Sequence, residues 1–292
     1  MIAVNWGTTN FRAYRLDEDG TIVDERSSAR GINSVVSGRF AETLHSQVHD
    51  WLALGDTHIL LGGMVGSRQG WKETLYVPCP AGINELSRSL VPVDFEHAEA
   101  MLVPGISSSD ASGVPEVMRG EECEILGIIE SGDDAETICL PGTHSKWVQL
   151  DHERITGFVT CMTGEVYATL RNHTILSRLM RAAAIIDESF HRGLDRSRED
   201  GGLLHHLFGV RTLVLAGRMR EEEAASYLSG LLIGHELGSM LNTGSRVHLV
   251  GSSDLCKLYA EGIRAFGGRS SIASERTAAL GLAAIGRGLG WT

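Results

Sequence analysis

The hydrophobic positions at the start of the chain predict two short strands joined by a tight polar turn. Residues Ile2–Trp6 form an apolar run, and Phe11–Leu16 alternates apolar and polar side chains. The turn between them places a glycine, two hydroxyls and an arginine beside one small volume, which suits phosphate oxygens. Turn chemistry alone also favours these residue types, so a purely structural role stays open. The candidate phosphate ligands here are Gly7, Thr8, Thr9 and Arg12.

The same pattern returns in the second half of the chain. An apolar strand at Thr137–Leu140 breaks at a Gly-Thr turn, and a second strand resumes and runs to Leu150. A third strand-like run follows each hairpin, at residues 21–23 and 155–160. This internal repeat predicts two similar domains that face each other across a cleft. The candidate phosphate ligands in the second turn are Gly142, Thr143, His144 and Lys146. His144 could instead contact the substrate, or be only a hydrogen-bonded turn residue.

Other stretches predict the elements around these hairpins. Helical spacing of apolar residues predicts helices over residues 40–54 and 221–241. Three glycines share one face of the second helix and would let another backbone approach closely: Gly230, Gly234 and Gly238. The Ser-rich residues 107–113 predict a flexible loop, and the acidic residues 131–136 suggest a boundary between the halves. Residues 187–218 are charged and show only a helix entry near Phe190.

Two further segments carry candidate chemistry. A predicted buried strand beginning at His58 leads into a loop with four glycines, and α/β proteins place ligands at such strand ends. Arg68 in this loop is suited to a bidentate pair with a carboxylate, although an exposed charge beside a turn is the alternative. Glu121 and Glu122 stand where a loop meets an apolar helix. A carboxylate there stays ionised and can accept a proton, but glutamate also favours a first helical turn by itself.

Composition narrows the classes of partner. The 292-residue chain has ample length to bury a core, and its net charge of -11 argues against nucleic acid or an anionic membrane as a partner. Its five cysteines are odd in number and form no CxxC pair, which is typical of reduced thiols in a cytosolic protein. No basic-then-apolar leader precedes the first strand. The sequence therefore predicts a cytoplasmic protein with small-molecule ligands.

The ordered motifs carry a family resemblance. The chain resembles the superfamily of sugar kinases, heat-shock chaperones and actin, in which two such hairpins grip the phosphates of ATP. Within it, the chain resembles the 2-dehydro-3-deoxygalactonokinase family, and the similarity covers nearly the whole length. Five motifs carry this similarity: residues 6–10, 63–67, 118–122, 141–147 and 162–165.

The resemblance implies a fold and an activity. The implied fold is α/β, with two similar ribonuclease-H-like lobes, each a mixed sheet flanked by helices, around a nucleotide cleft. Residues 1–130 would form the N-terminal lobe with the sugar-acid site, and 131–274 the C-terminal lobe with the adenosine site. Residues 275–292 would be a helix returning to the hinge and the N-terminal lobe. The implied activity is ATP- and Mg²⁺-dependent phosphorylation of the 6-hydroxyl of 2-dehydro-3-deoxy-D-galactonate, a step of galactonate degradation.

The resemblance also implies roles for particular residues. Glu121 is the expected base on the attacking hydroxyl, with Glu122 as the reserve. Arg68 or Arg119 would hold the substrate carboxylate. The nucleotide would further contact Gly164, Gly251 and Ser252, and the sugar acid would contact Gly63, Met64, Ser67, Arg68, Trp71 and Arg119.

One position departs from the superfamily pattern. Asn5 stands where the superfamily usually carries an Asp that helps to hold hydrated Mg²⁺. An amide offers one neutral oxygen, whereas Mg²⁺ prefers anionic oxygen ligands. Two alternatives therefore stay open: a nucleotide-binding sensor or partner protein with impaired turnover, and a kinase for a related 2-keto-3-deoxy sugar acid. The oligomeric state is equally open, with a homodimer among the options.

Overall fold

The computed structural model describes residues 1–36, 38–132, 137–274 and 276–291. The strands in these ranges are β1 (Ile2–Trp6), β2 (Phe11–Leu16), β3 (Ile22–Ser28), β4 (His58–Gly62), β5 (Tyr76–Pro78), β6 (Val91–Val93), β7 (Glu99–Leu102), β8 (Gly105–Ser109), β9 (Pro115–Met118), β10 (Thr137–Leu140), β11 (Ser145–Asp151), β12 (Arg154–Cys161), β13 (Arg246–Leu249) and β14 (Arg269–Ile272). The helices are α1 (Phe40–Ala53), α2 (Ile83–Ser87), α3 (Glu121–Glu130), α4 (Thr163–His173), α5 (Glu188–Ser197), α6 (Gly202–Leu215), α7 (Ala224–Met240), α8 (Ser253–Ala265) and α9 (Thr277–Gly288).

The chain divides into two compact units. The first comprises Met1–Asp134, Gln149–Phe158 and Ser274–Thr292, and the second comprises Ala135–Val148 and Val159–Ala273. The sequence analysis placed residues 149–158 in the C-terminal lobe, whereas the structure groups them with the first unit. The predicted acidic boundary falls partly on residues 133–136, which lie outside the described residues.

The segment 149–158 joins the first unit through backbone hydrogen bonds. Ala81 N–H donates to the Ile155 carbonyl at 3.0 Å, and Ile155 N–H donates to the Ala81 carbonyl at 2.8 Å. Arg154 adds a bond to the carbonyl of Pro80 at 2.7 Å. Such pairing is decided by tertiary contacts, so the local sequence gave no sign of it.

A six-stranded sheet forms the centre of the first unit, in the order β3-β2-β1-β4-β7-β6. The strand β1 pairs antiparallel with β2 and parallel with β4. Successive side chains of a strand point to opposite faces, so Ile2, Val4 and Trp6 lie together in the core against α1. Asn5 and Arg12, which are paired across β1 and β2, therefore share the other face. The predicted first hairpin is confirmed.

A five-stranded sheet follows the order β12-β11-β10-β13-β14. Its first four strands repeat the order of β3-β2-β1-β4, and β10 pairs parallel with β13 as β1 does with β4. Apolar side chains of α7 and α8 pack with this sheet's core, together with Trp147. The repeated order and the flanking helices confirm the predicted α/β fold class.

The predicted glycine face of α7 makes a close helix contact. A Cβ on Gly230 would lie 2.0 Å from the carbonyl oxygen of Phe190, and a Cβ on Gly234 would lie 2.2 Å from Oγ of Ser197. Both neighbours belong to α5, so the two helices approach at backbone distance. A Cβ on Gly238, by contrast, would lie 3.7 Å from the Phe266 ring, at ordinary van der Waals distance.

Two predictions about the intervening segments were wrong or incomplete. The Ser-rich residues were expected to form a flexible loop, but Gly105–Ser109 forms β8, which pairs with β5 and β9 in a small three-stranded sheet. Serine hydroxyls do not prevent the backbone from pairing in a sheet, and Ile106 is buried.

The sequence analysis did not predict helix α6, because polar residues interrupt its apolar face. Its buried His206 is satisfied by the Asp200 carbonyl at 3.1 Å. Among the described helices, none is both long and apolar enough to cross a bilayer.

Candidate active site

The turn of the first hairpin is fixed by its backbone and leaves its hydroxyls exposed. Gly7 N–H donates to the Asn10 carbonyl at 2.9 Å. The carbonyls of Gly7, Thr8 and Thr9 accept N–H groups from residues 31–33, at 3.0 to 3.1 Å. Thr8 and Thr9 are both exposed. The turn is therefore held rigidly while it presents two hydroxyls, which is the geometry expected of a phosphate ligand.

Two glycines bring distant loops to the end of β1. A Cβ on Gly63 would lie 2.7 Å from the Trp6 carbonyl and 3.2 Å from Oδ1 of Asn5. A Cβ on Gly120 would lie 3.1 Å from Cα of Gly63. Both glycines have a positive φ, 98° and 108°, which other residues rarely adopt. The structure thus joins the motifs around Asn5, Gly63 and Gly120, which the sequence keeps far apart.

The two candidate carboxylates at the start of α3 differ in environment. Glu121 is half-buried, and its Oε2 accepts the Arg119 N–H at 3.0 Å. Glu122 is fully buried, and its Oε2 accepts the Gly120 N–H at 2.7 Å. Burial, assisted by repulsion from Glu121, raises the pKa of Glu122 to about 8. Glu121 is thus the more accessible of the two carboxylates.

A third carboxylate on α3 was missed by the sequence analysis. Glu124 lies three residues after Glu121, so the two share a helix face. Burial and then repulsion from Glu121 raise the pKa of Glu124 to about 7, while Arg12 lowers it. Arg12 itself is exposed on β2. The i, i+3 spacing from Glu121 is the sequence feature that could have identified Glu124.

Arg119 and Ser67 supply unused buried donors beside the Gly-rich loop. Arg119 donates from Nη2 to the Thr74 carbonyl at 2.9 Å and from Nη1 to the Thr74 hydroxyl, and its guanidinium lies over the Tyr76 ring. A Cβ on Gly66 would lie 3.1 Å from Nη1 of Arg119. Among the described residues, neither Nε of Arg119 nor Oγ of Ser67 has a hydrogen-bond partner, although both atoms are buried. Such orphaned donors are costly unless a ligand pairs with them.

The other residues of this predicted substrate site are placed less favourably. Arg68 extends into solvent, with its side chain 82% exposed, and pairs with Glu73 at 3.5 Å. Trp71 packs against the rings of Phe40 and Phe95, both at centroid distances of 6.3 Å. Met64 is only partly buried and lies against the same core. Their predicted contacts with substrate stay predictions.

In the second unit, three separate motifs meet around Gly142. A Cβ on Gly164 would lie 2.2 Å from the Gly142 carbonyl. A Cβ on Gly251 would lie 3.3 Å from the Pro141 carbonyl, and Gly251 has φ of 144°. Side chains at these positions would push the turn of the second hairpin out of place. Ser252, next to this turn, is exposed.

Polar contacts hold the second turn. Nε2 of His144 lies 2.5 Å from Oε2 of Glu165, and Glu165 N–H donates to the Thr143 carbonyl at 2.9 Å. Thr143 and His144 are exposed. Lys146 is buried, and its Nζ donates to the His144 carbonyl at 3.0 Å. The ammonium therefore braces the turn, and its predicted phosphate contact stays a prediction.

A largely apolar cavity of about 100 Å³ lies beside this turn. Its lining includes Leu232, Ile233, Leu255 and Leu258 together with Gly142 and Gly164. Concave apolar sites with few polar groups are typical of ligand-binding pockets.

A buried carboxylate behind the cavity was also missed by the sequence analysis. Oε1 of Glu236 accepts the Trp147 Nε1–H at 2.7 Å, and its Oε2 accepts the Tyr259 hydroxyl at 2.6 Å. Burial raises the pKa of Glu236, and the hydrogen bonds, led by that from Thr163, lower it. The sequence feature that could have pointed to Glu236 is a glutamate in an otherwise apolar, glycine-rich helix. Glu236 ties β11, α4 and α8 to α7.

The fold and these turns define the class of protein. Two sheets of repeated strand order, flanked by helices and carrying Gly-Thr hairpin turns, form the α/β fold shared by sugar kinases and actin-like ATPases. Within that class, residues 5–285 match the family model described as 2-keto-3-deoxy-galactonokinase, and the chain belongs to this family. The prefixes keto and dehydro name the same C2 carbonyl, so the predicted family is confirmed.

Individual relatives agree with this assignment. The chain is 32% identical over 269 residues to the 2-dehydro-3-deoxygalactonokinase of Escherichia coli (strain K12), covering 91% of this chain and 90% of that one. It is 36% identical over 296 residues to a candidate 2-dehydro-3-deoxygalactonokinase of Rhizobium meliloti (strain 1021), covering 98% of this chain and 96% of that one. A crystal structure of a candidate 2-dehydro-3-deoxygalactonokinase from Sinorhizobium meliloti superposes with a TM-score of 0.90, at 35% identity over 99% and 98% of the two chains.

Proposed function

We propose that this protein is an ATP-dependent kinase that phosphorylates the 6-hydroxyl of 2-dehydro-3-deoxy-D-galactonate, a step of galactonate degradation. The contact of Gly120 with Gly63 carries the proposal, because it sets the first turn of α3, with Glu121, beside Asn5 at the end of β1. Family membership and the names of the relatives support the choice of substrate.

The first unit would bind the sugar acid. Nε of Arg119 and Oγ of Ser67 would donate to the carboxylate and to a neighbouring oxygen, since both donors are buried and unpaired among the described residues. Arg119 is preferred over Arg68, because Arg119 is already fixed by Thr74 and Tyr76 whereas Arg68 lies in solvent. Gly63 and Met64 would line the same site.

Glu121 would act as the base. The oxygen of the 6-hydroxyl attacks the γ-phosphorus, the bond from that phosphorus to the bridging oxygen of ADP breaks, and the hydroxyl proton passes to Glu121. Phosphoryl transfer needs mainly alignment and charge neutralisation from a protein. The placement of Glu121 in the first turn of α3, where its Oε2 accepts the Arg119 N–H, would provide this alignment.

Each unit would contribute nucleotide ligands from its own turn. In the first unit these are the hydroxyls of Thr8 and Thr9, and Arg12, while Gly7 shapes the turn through its N–H bond to the Asn10 carbonyl. In the second unit the exposed Thr143 and His144 would meet phosphate, and the apolar cavity bounded by Gly142 and Gly164, with Gly251 and Ser252 next to it, would take the adenosine side.

Mg²⁺ fits this site through a reduced donor set. Asn5 is half-buried, and a Cβ on Gly63 would crowd its Oδ1 at 3.2 Å. Asn5 would thus supply one neutral oxygen, with phosphate and water oxygens completing the octahedron that Mg²⁺ requires. When bound, the ion neutralises phosphate charge. A cytoplasmic location and a homodimer stay predictions.

The test is ATP-dependent phosphorylation of 2-dehydro-3-deoxy-D-galactonate at saturating Mg²⁺, by the protein and by Asn5→Asp. Turnover by the parent supports the kinase with Asn5 as its metal ligand. Turnover by the variant alone indicates that Asn5 impairs an otherwise intact kinase, which is the sensor alternative.

The identity of the sugar-acid substrate needs a separate experiment. The same assay with other 2-keto-3-deoxy sugar acids distinguishes a kinase for a neighbouring substrate. If no sugar acid is phosphorylated by either protein, the proposal is overturned.

A further inference from the structure

The carboxyl of Glu122 connects three parts of the first unit. Its Oε2 accepts the N–H of Gly120, whose φ of 108° turns the chain into α3. Its Oε1 lies 3.6 Å from Sγ of Cys123. That thiol packs close to Gly62, because a Cβ added to Gly62 would lie only 2.7 Å from the sulfur. Glu122 thus links the first turn of α3 to the end of β4, where the Gly-rich loop begins.

The surroundings of Glu122 favour an uncharged carboxyl. Its side chain is fully buried, and the neighbouring Glu121 is a like charge. Arg119 is the nearby cation, but its guanidinium bonds to Thr74 and lies over Tyr76. A buried carboxylate without a paired cation is strongly disfavoured.

The elements packed around Glu122 add little opposing charge. On α3 itself the facing groups are Glu121, Cys123 and Glu124, and from β2 Arg12 faces Glu124. Helix α9 packs on α3 through Gly281 against the Cys123 carbonyl, and its Arg287 pairs with Glu130 at the far end of α3.

We propose that Glu122 is a positioning residue rather than the base: its protonated carboxyl holds the Gly120 N–H and fixes Glu121 where the substrate hydroxyl arrives. This inference rests on the proposed kinase function. The backbone N–H groups of Gly120 and of Glu122 itself bond to the carboxyl and lower its pKa, but burial outweighs them. The protonated form keeps the Gly120 bond without placing a second charge beside Glu121. Ionisation would add a negative charge beside Glu121 and beside two anionic substrates, so activity falls when it occurs. Burial raises the pKa of Glu122 to about 8, which puts this loss on the alkaline side.

The kinetic test compares Glu122→Ala with Glu122→Gln. Alanine removes the acceptor of the Gly120 N–H, and we expect kcat to fall by about 100-fold, because a small displacement of an aligned group has that effect. Glutamine keeps the acceptor and cannot ionise, so it rescues most of the activity at pH 7 and abolishes the decline of kcat/KM above pH 8. Glu130→Gln, at the far end of α3, is the matched control. Equal inactivity of the alanine and glutamine variants would overturn the inference.

A second measurement does not depend on the substrate. Infrared difference spectra of wild type minus Glu122→Gln should show the carbonyl stretch of a protonated carboxyl at pH 7 and its loss by pH 9. A carboxylate band at pH 7 would overturn the inference even if the kinase assay succeeds. If wild type phosphorylates no sugar acid while the spectra show the protonated group, the proposed function fails and the protonated state of Glu122 stands.

Discussion

The carbonyl oxygen of Gly142 lies 2.2 Å from the position that a Cβ atom would take on Gly164. The second hairpin and the start of α4 therefore meet at backbone distance. We expect Gly164→Ala to push the turn away and to weaken ATP binding by at least 10-fold, with about 1–3 kcal/mol lost from the free energy of unfolding. Titration calorimetry and urea unfolding measure both effects. Gly142→Ala is the matched control for the unfolding measurement, because nothing lies within 4 Å of its Cβ position; an equal loss of unfolding free energy there would contradict the explanation.

Loss of the proposed base should appear in turnover. Glu121→Gln keeps the size and the hydrogen-bonding oxygen but cannot take a proton, so kcat should fall by about 10²- to 10⁴-fold while KM changes little. Steady-state kinetics with both substrates measure this. A variant that keeps near-normal kcat would remove Glu121 from the mechanism.

The two arginine candidates can be separated by parallel substitutions. Arg119→Lys loses the planar fork and the stacking on Tyr76, so we expect KM for the sugar acid to rise by about 10- to 100-fold. KM for ATP should stay unchanged. If the larger rise follows Arg68→Lys instead, Arg68 holds the carboxylate.

Glu122 should make stability depend on pH. Its pKa is about 8 in the fold and about 4.5 in the unfolded chain, so between these values the folded state binds a proton that the unfolded state has released. Stability therefore falls as pH rises from about 4.5 to 8, by roughly 5 kcal/mol for this group. Glu124, with a pKa raised to about 7, acts in the same direction. Urea unfolding between pH 5 and 9 should show a shallower decline for Glu122→Gln; parallel curves would contradict this.

Removal of Glu236 should weaken the second unit. Glu236→Ala leaves the buried Trp147 Nε1–H without its acceptor, and leaves the Tyr259 hydroxyl with only the Ser145 hydroxyl, 2.9 Å away, as a partner. The expected cost is about 2–5 kcal/mol in the free energy of unfolding. Tryptophan fluorescence during urea unfolding measures it, and a loss below about 1 kcal/mol would show that water replaces the carboxylate.

Much of the fold could be predicted because its signals are local. The alternation in residues 2–16 and the Gly-Thr turn determine the first hairpin, and their return at residues 137–150 predicts the second. The glycine spacing on α7 likewise predicted the close approach that α5 makes at Gly230 and Gly234. Strand β8 was mispredicted, because pairing with β5 and β9 outweighed the loop preference of its serines.

The sequence by itself determined the repeated hairpins, the family motifs and the candidate carboxylates, since these depend on residue type and short spacing. Only the tertiary structure shows how the surroundings of these candidates differ. Burial separates Glu122 from the accessible Glu121, and solvent separates Arg68 from the fixed Arg119. The structural role of Glu236 is apparent only from its hydrogen bond to Trp147 of the second hairpin. Burial and partner distance arise from contacts between segments remote in the chain, so local sequence does not encode them.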